Sequence, residues 1–183
     1  LLNTHWDHKI PSVIPPRNPK PKIQKKLLVL HKNLIKFYNS YCIKPNLKEK
    51  YIYFPLHYQY EATTCPMGGP FVEQHLAVEL LSRIGITIYV KEHPRMSKNR
   101  NLEYYKKLLR IPNVRFVSQK ADNYALIDNS ICVANITGTA GWEAIMRGKP
   151  AIIFGDIHYG YCPGAFRIRN STDVISVFSR INE

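Results

Sequence analysis

The spacing of apolar positions changes near residue 50. From Ile23 to Tyr41, the residues Leu27, Leu30, Leu34, Phe37 and Tyr41 recur at three- and four-residue steps. Lys25, Lys32 and Lys36 lie off that stripe, which predicts an amphipathic helix. From Tyr51 onward, short β-rich runs alternate with helical ones. Strands are expected at Tyr51–Phe54, Ile86–Lys91, Val114–Val117, Ile131–Ile136 and Ala151–Phe154. Helices are expected at Phe71–Arg83, Leu102–Arg110, Asn123–Asp128, Ala140–Arg147 and Thr172–Ile181. In the first of these, Val72, Leu76, Leu80 and Leu81 are expected to face inward. Such alternation implies right-handed crossovers and a parallel sheet with helices on both faces. The expected fold class is therefore α/β and Rossmann-like, over residues 51–183.

Composition divides the chain at the same point. The 183 residues suit one ordinary α/β domain rather than two. Residues 9–22 hold five of the thirteen prolines, so this stretch is expected to be extended and irregular, a linker or a strap. Of the 26 Lys and Arg residues, 11 fall in residues 1–50 against two of the 13 acidic ones, a local net of +9 out of +13. Such a basic segment fits an anionic partner, and a solvated lysine-rich face is an equal alternative on charge alone. Aromatic interleaving suited to base stacking is missing from it, so no nucleic-acid partner is expected. No run approaches the ~18 apolar residues of a membrane span, and no secretory signal is visible at Leu1–His8. The absence of an opening methionine suggests a piece of a longer protein. Cys42, Cys65, Cys132 and Cys162 are too dispersed for a disulfide framework or a zinc site.

Candidate chemistry collects where the strands end, the rim at which open α/β sheets bind ligands. Ile131–Ile136 runs into Thr137-Gly138-Thr139-Ala140-Gly141 and then directly into a helix. Glycines admit close backbone approach, and the first helical N–H groups favour an anion. Thr137 and Thr139 offer hydroxyls, and Glu143 can cap N–H groups or take a ribose hydroxyl. The plain alternative is a capping box, with Thr139 as N-cap closed by Glu143; spacing alone leaves the two readings level. A second segment ends a strand in Lys91-Glu92-His93-Pro94, which places His93 to donate to a phosphate or act as an acid. Lys91 and Glu92 can instead form an ion pair. A third, the long loop 55–70, offers His57, Gln59, Glu61, Thr64, Gly68 and Gly69, or is a surface loop held by Tyr58 and Tyr60. Residues 155–164 leave the fifth strand on the same rim and can form one wall of a cleft.

Four ordered motifs carry a family resemblance: residues 53–64 (YFPLHYQYEATT), 90–94 (VKEHP), 137–144 (TGTAGWEA) and 147–155 (RGKPAIIFG). Together they resemble the bacterial capsule polysaccharide biosynthesis family, which includes capsule Kdo transferases and is similar in plan to GT-B sialyltransferases. The resemblance spans about residues 51–170, and residues 1–50 carry no matching motif. Tyr60 departs from the proline common in relatives at that position. The resemblance implies the C-terminal, donor-binding half of a GT-B glycosyltransferase, with residues 1–50 connecting to a missing N-terminal domain and the isolated chain inactive. It implies that His93, Pro94 and Thr137–Gly141 bind the phosphate of a CMP- or UDP-linked sugar, with Glu143 on the ribose. His93 and Glu61 are then the candidate catalytic residues, and His57, Gln59, Thr64, Gly68 and Gly69 the donor-loop candidates. The implied partners are a nucleotide sugar and a glycan or glycolipid acceptor, with peripheral contact to anionic membrane on the cytoplasmic face. No cofactor or metal is expected, because no Asp-x-Asp motif stands out. Alternatives are a nucleotide-sugar epimerase of the same plan, or a non-catalytic basic module for membrane or nucleic acid.

Overall fold

A computed structural model describes residues 21–61, 64–96, 100–170 and 172–181 of the chain. Side chains of the first seven of these are not described, and the proline-rich stretch up to Lys20 lies outside the described residues. The elements in order are α1 (Pro21–Ser40), β1 (Cys42–Ile43), β2 (Tyr51–Pro55), α2 (Gln74–Ser82), β3 (Thr87–Lys91), α3 (Leu102–Arg110) and β4 (Val114–Val117). They continue with α4 (Asn123–Asn129), β5 (Cys132–Asn135), α5 (Thr139–Met146), β6 (Ala151–Ile153), β7 (Ala165–Arg167) and α6 (Asp173–Ile181). Short 3₁₀ turns occupy Gly69–Val72 and His158–Tyr161.

All six strand pairings are parallel, and the sheet order is β1-β4-β3-β2-β5-β6-β7. From β2 the chain builds outward through β3 and β4, then returns to the other side of β2 to lay down β5, β6 and β7. That is the doubly wound Rossmann order with β1 added at one edge, and it places the topological switch between β2 and β5. The Rossmann-like α/β expectation holds. Periodicity had not resolved β1 and β7, two and three residues long, because so short a run shows no alternation.

The central strands β2, β3, β5 and β6 are buried on both faces, with successive residues entering separate cores. Ile52, Phe54, Ile88, Val90, Phe116, Cys132 and Ala134 pack on one side with Tyr38 of α1, Ala77, Val78 and Leu81 of α2, Tyr105 and Leu108 of α3 and Val174 of α6. Tyr51, Tyr53, Tyr89, Val117 and Val133 pack on the other with Leu126 and Ile127 of α4 and Ala144 of α5. Full burial of one such side chain contributes about 1.5–3 kcal/mol. The buried tyrosines find partners for their hydroxyls: Tyr51 donates to the Leu126 carbonyl at 2.8 Å and Tyr53 to Asn123 Oδ1 at 3.0 Å.

Two inward faces differ from expectation. In α2 the buried residues are Gln74, Ala77, Val78 and Leu81, while Leu76 is exposed. A 3₁₀ turn precedes the helix and Val72 belongs to it, so the helical phase starts later than the apolar count implied. In α1 the core contacts are Leu34, Phe37 and Tyr38, two of them on the expected stripe, while Leu30 and, just past the helix, Tyr41 are about half exposed. The Tyr38 hydroxyl decides the rotation, because it donates to the Val117 carbonyl at 2.7 Å and accepts from the Glu92 N–H at 2.9 Å. Among the described residues, no helix is long and apolar enough to cross a membrane.

Candidate functional site

A cleft of about 730 Å³ opens over the C-terminal ends of β2, β3, β5 and β6, at the switch point. Its floor is the β2 exit, Pro55–His57, beside the small-residue turn Thr137–Ala140. Tyr58, Glu61, His93 and Pro94 form one wall. Trp142, Glu143, Ile157, His158 and Tyr159 form the opposite one, with Asn123 at the side. Among the described residues, the lining holds three imidazoles and two carboxylates and no lysine or arginine.

The turn after β5 owes its shape to contacts that exclude side chains. Asn135 is fully buried, and its Oδ1 accepts from the Gly138 N–H at 3.1 Å and from the Tyr159 hydroxyl at 3.2 Å. The same hydroxyl also contacts the Gly138 carbonyl. A Cβ on Gly138 would sit 2.8 Å from His57 Nε2, and one on Gly141 would sit 2.7 Å from the Tyr159 hydroxyl and against Asn135 Nδ2. These glycines serve close packing; neither needs a positive φ. The N-cap of α5 is Gly138, which has no side chain to cap the first-turn N–H groups, and Thr139 is the first helical residue. The expected Thr139–Glu143 capping box is therefore absent, since the chain is still extended at Gly138 and Thr139 comes one position too late. By contrast, Asn101 caps α3 and Asp122 caps α4, each with its side chain. The N-terminus of α5 thus enters the cleft open, with Thr139 exposed and Thr137 buried.

His57 is 7% exposed and its Nε2 accepts from the Ile136 N–H at 3.3 Å. That contact bridges the ends of β2 and β5 and places the imidazole proton on Nδ1. Burial, with Arg100 and His93 nearby, lowers its pKa to about 3, so the ring is neutral. His93 is half-buried, and its Nδ1 accepts from the Arg95 N–H at 3.2 Å, which leaves the proton on Nε2. Its pKa is lowered, mainly by desolvation, with Glu61 and Glu92 opposing the shift. It is a neutral donor at pH 7, and an arriving anion would pull a proton onto it.

Behind His93 the alternative reading, a Lys91–Glu92 ion pair, is not what forms. Lys91 Nζ donates to the Ala121 carbonyl and to Asn123 Oδ1, both at 2.6 Å. Glu92 turns to the opposite face of the sheet, as adjacent strand residues must, and pairs with Arg100 at 2.6 Å in a fully buried site.

The donor-loop candidates separate into two groups. Glu61 is exposed on the cleft wall and His57 lies on its floor. Gln59, Thr64, Gly68 and Gly69 do not line the cleft. Gln59 donates to the Val72 carbonyl at 3.0 Å and accepts from Gln74 Nε2 at 3.0 Å. Gly68 packs where a Cβ would meet the Thr64 carbonyl at 2.6 Å and Ile136 at 3.0 Å. Gly69 takes a positive φ of 54° in the turn. Tyr58 and Tyr60 do contact each other, ring centroids 5.5 Å apart, while Tyr58 also faces His93. Sequence reasoning did not single out Trp142, Asn123 or Arg100; Trp142 stood within a quoted motif, but nothing in its spacing distinguished a cleft residue from a core one. Among the described residues, no cluster of three His, Cys, Asp or Glu side chains is arranged to hold a metal ion.

The family model for capsule polysaccharide biosynthesis proteins matches residues 80–164, a span that includes His93, the turn after β5 and the His158–Tyr159 wall. No curated protein matches the chain. Among solved structures, the β-Kdo 2,7-transferase KpsC of Thermosulfurimonas dismutans is similar at TM-score 0.52 and 18% identity, over 83% of this chain and 52% of that one. The UDP-GlcNAc 2-epimerase of Methanocaldococcus jannaschii is similar at TM-score 0.54 and 16% identity, over 87% of this chain and 46% of that one. A second structure of that epimerase, in complex with UDP-GlcNAc and UDP, gives TM-score 0.54 and 18% identity, over 86% of this chain and 44% of that one. The chain spans about half the length of these proteins. Residues 80–164 thus match the family model of capsule polysaccharide biosynthesis proteins, and the Rossmann-like α/β fold is similar to about half of the Kdo transferase and of the epimerase.

Proposed function

We propose that this chain is the donor-binding half of a glycosyltransferase of cell-surface polysaccharide synthesis, holding a CMP- or UDP-linked sugar, with a CMP-linked acidic sugar such as Kdo the preferred form. The observation that carries this reading is the N-terminus of α5, without a side-chain cap from its N-cap residue, which lines the same cleft as His93 at the sheet's switch point. First-turn N–H groups and the helix dipole stabilise a phosphate without a lysine or arginine. His93 Nε2–H supplies a further donor as negative charge builds on the leaving phosphate. Glu143 is an acceptor for ribose hydroxyls, and Glu61, exposed on the His93 wall, is the carboxylate closest in role to the reacting sugar or its acceptor. The acceptor is a glycan or glycolipid, and the lysine-rich N-terminal fifty residues hold the protein at the cytoplasmic face of an anionic membrane.

The test is thermal unfolding and titration calorimetry with CMP and UDP. Binding of either should raise the melting temperature, and His93→Ala should weaken that binding about tenfold or more. Absence of any shift with both nucleotides and their sugar conjugates would overturn the reading. The two carboxylates in the cleft favour one alternative, a nucleotide-sugar epimerase of the same plan. NMR of a supplied UDP-sugar separates them, because an epimerase interconverts the sugar without an acceptor.

A further inference from the structure

The Glu92–Arg100 pair is buried directly behind the cleft, at 1% and 5% exposure. Taking both charges from water costs several kcal/mol, which their attraction offsets only with good geometry and satisfied hydrogen bonds. Arg100 Nε donates to Glu92 Oε2 at 2.6 Å, and Nη2 donates to Glu92 Oε1 at 3.3 Å and to the His57 carbonyl at 2.9 Å. Glu92 Oε1 accepts from the His93 N–H at 2.6 Å, and Oε2 accepts from the Tyr105 hydroxyl at 2.9 Å. The Arg100 guanidinium lies over the Tyr104 ring, 4.5 Å from its centroid. Two of these bonds end on main-chain groups of cleft residues, one on the β2 exit and one on the β3 exit. The β2 exit is held again from the other side, where Gln74 Oε1 accepts from the His57 N–H at 2.7 Å.

We infer that Arg100, paired with Glu92, is a positioning residue that sets the placement of His57 and His93 relative to each other across the cleft. It touches no ligand itself. A guanidinium is suited to this because its planar fork serves the carboxylate and the carbonyl at once; a lysine ammonium, as a point charge on a flexible stem, would hold one at the expense of the other. The His57 ring in turn holds the Ile136 N–H and fills the space beside Gly138. A displaced β2 exit therefore also displaces the turn that leads into α5. The inference rests on the donor-binding reading for its functional consequence and on the free protein for its geometry.

Two variants of the full chain test it. Arg100→Lys keeps the charge and loses the fork. Glu92→Gln with Arg100→Met replaces the pair by a neutral one of similar volume, an exchange that other proteins tolerate in stability. The readouts are melting temperature, affinity for CMP and UDP, and the ring resonances of His57 and His93 in the ligand-free protein. The expected result is a melting temperature near that of the unchanged protein, affinity lower by about tenfold or more, and both histidine rings shifted together. Unchanged affinity and unchanged ring resonances in the double variant would overturn the inference, and that variant decides alone if Arg100→Lys does not fold. If the unchanged protein binds neither nucleotide, the donor-binding reading fails. The ligand-free resonances still decide whether Arg100 positions the two histidines.

Discussion

The two connections that flank the switch point solve opposite problems. The one after β5 is short, residues 136–138, and together with the first residues of α5 it gives four consecutive residues, Thr137–Ala140, to the cleft lining. The one after β2 is long and rich in polar side chains, yet most of these serve its own folding. Gln74 bonds His57 and Gln59, Gln59 bonds the Val72 carbonyl, and Gly68 packs under Ile136. Among the described residues of its middle part, only Tyr58 and Glu61 reach the cleft. A segment dense in polar residues is thus mostly scaffold, while one almost without polar atoms presents the backbone donors. Backbone recognition needs the removal of side chains, and a long loop needs internal partners for its own N–H and C=O groups.

Substitutions that add or remove single groups can break this contrast. The largest effect is expected from Gly141→Ala, whose new Cβ meets Asn135 and Tyr159 in the packed base of the turn. Denaturant unfolding should show a loss of about 3 kcal/mol, with Gly138→Ala somewhat milder because the His57 ring is the obstacle there. Next comes Gln74→Leu, which leaves the His57 N–H and the Gln59 amide without their buried partner. A loss of about 1–3 kcal/mol is expected, and equal stability would mean that the loop does not depend on this network.

Acid should act on the same junction through His57. Its folded pKa, about 3, lies below the ordinary value of 6.5. The unfolded chain therefore binds the proton more readily between these values, and stability falls as pH drops from about 6.5 toward 3. Above 6.5 the contribution is complete and flat. His57→Gln keeps an acceptor for the Ile136 N–H and should flatten part of this acid slope in pH-dependent melting curves. The smallest effect on stability, within about 0.5 kcal/mol, is expected for Glu61→Gln, an exposed change on the cleft wall. If Glu61 serves the reacting sugar or acceptor, turnover in a reconstituted transferase assay should nevertheless fall sharply.

The alternating pattern made the sheet legible, because each strand is a short apolar run between helices of clear period. The α3 and β4 bounds agree with expectation at both ends. The rim was legible for a related reason, since polar and glycine residues directly after a buried strand have few structural uses there. The partners of those residues were not legible. Nothing local in Glu92 distinguishes pairing with Lys91 from pairing with Arg100, because the choice depends on which face of the sheet each side chain enters and on where a later loop returns. The same holds for Thr139, whose cap geometry turned on one residue of extended backbone. Asn135 and Tyr159 read as a strand residue and a loop aromatic, and only the return of the chain after β6 brings them together.

The contact between His57 and Gly138 also restricts how the sequence can change over time. A methyl at 138 collides with the ring at 57, and a smaller residue at 57 leaves the Ile136 N–H without its acceptor. Neither position can drift alone without cost, although a paired change could restore the volume. The order of substitutions then matters: shrinking 57 first costs one hydrogen bond and some packing, whereas enlarging 138 first passes through a collision. Two residues that look unrelated in the linear chain thus behave as one heritable unit.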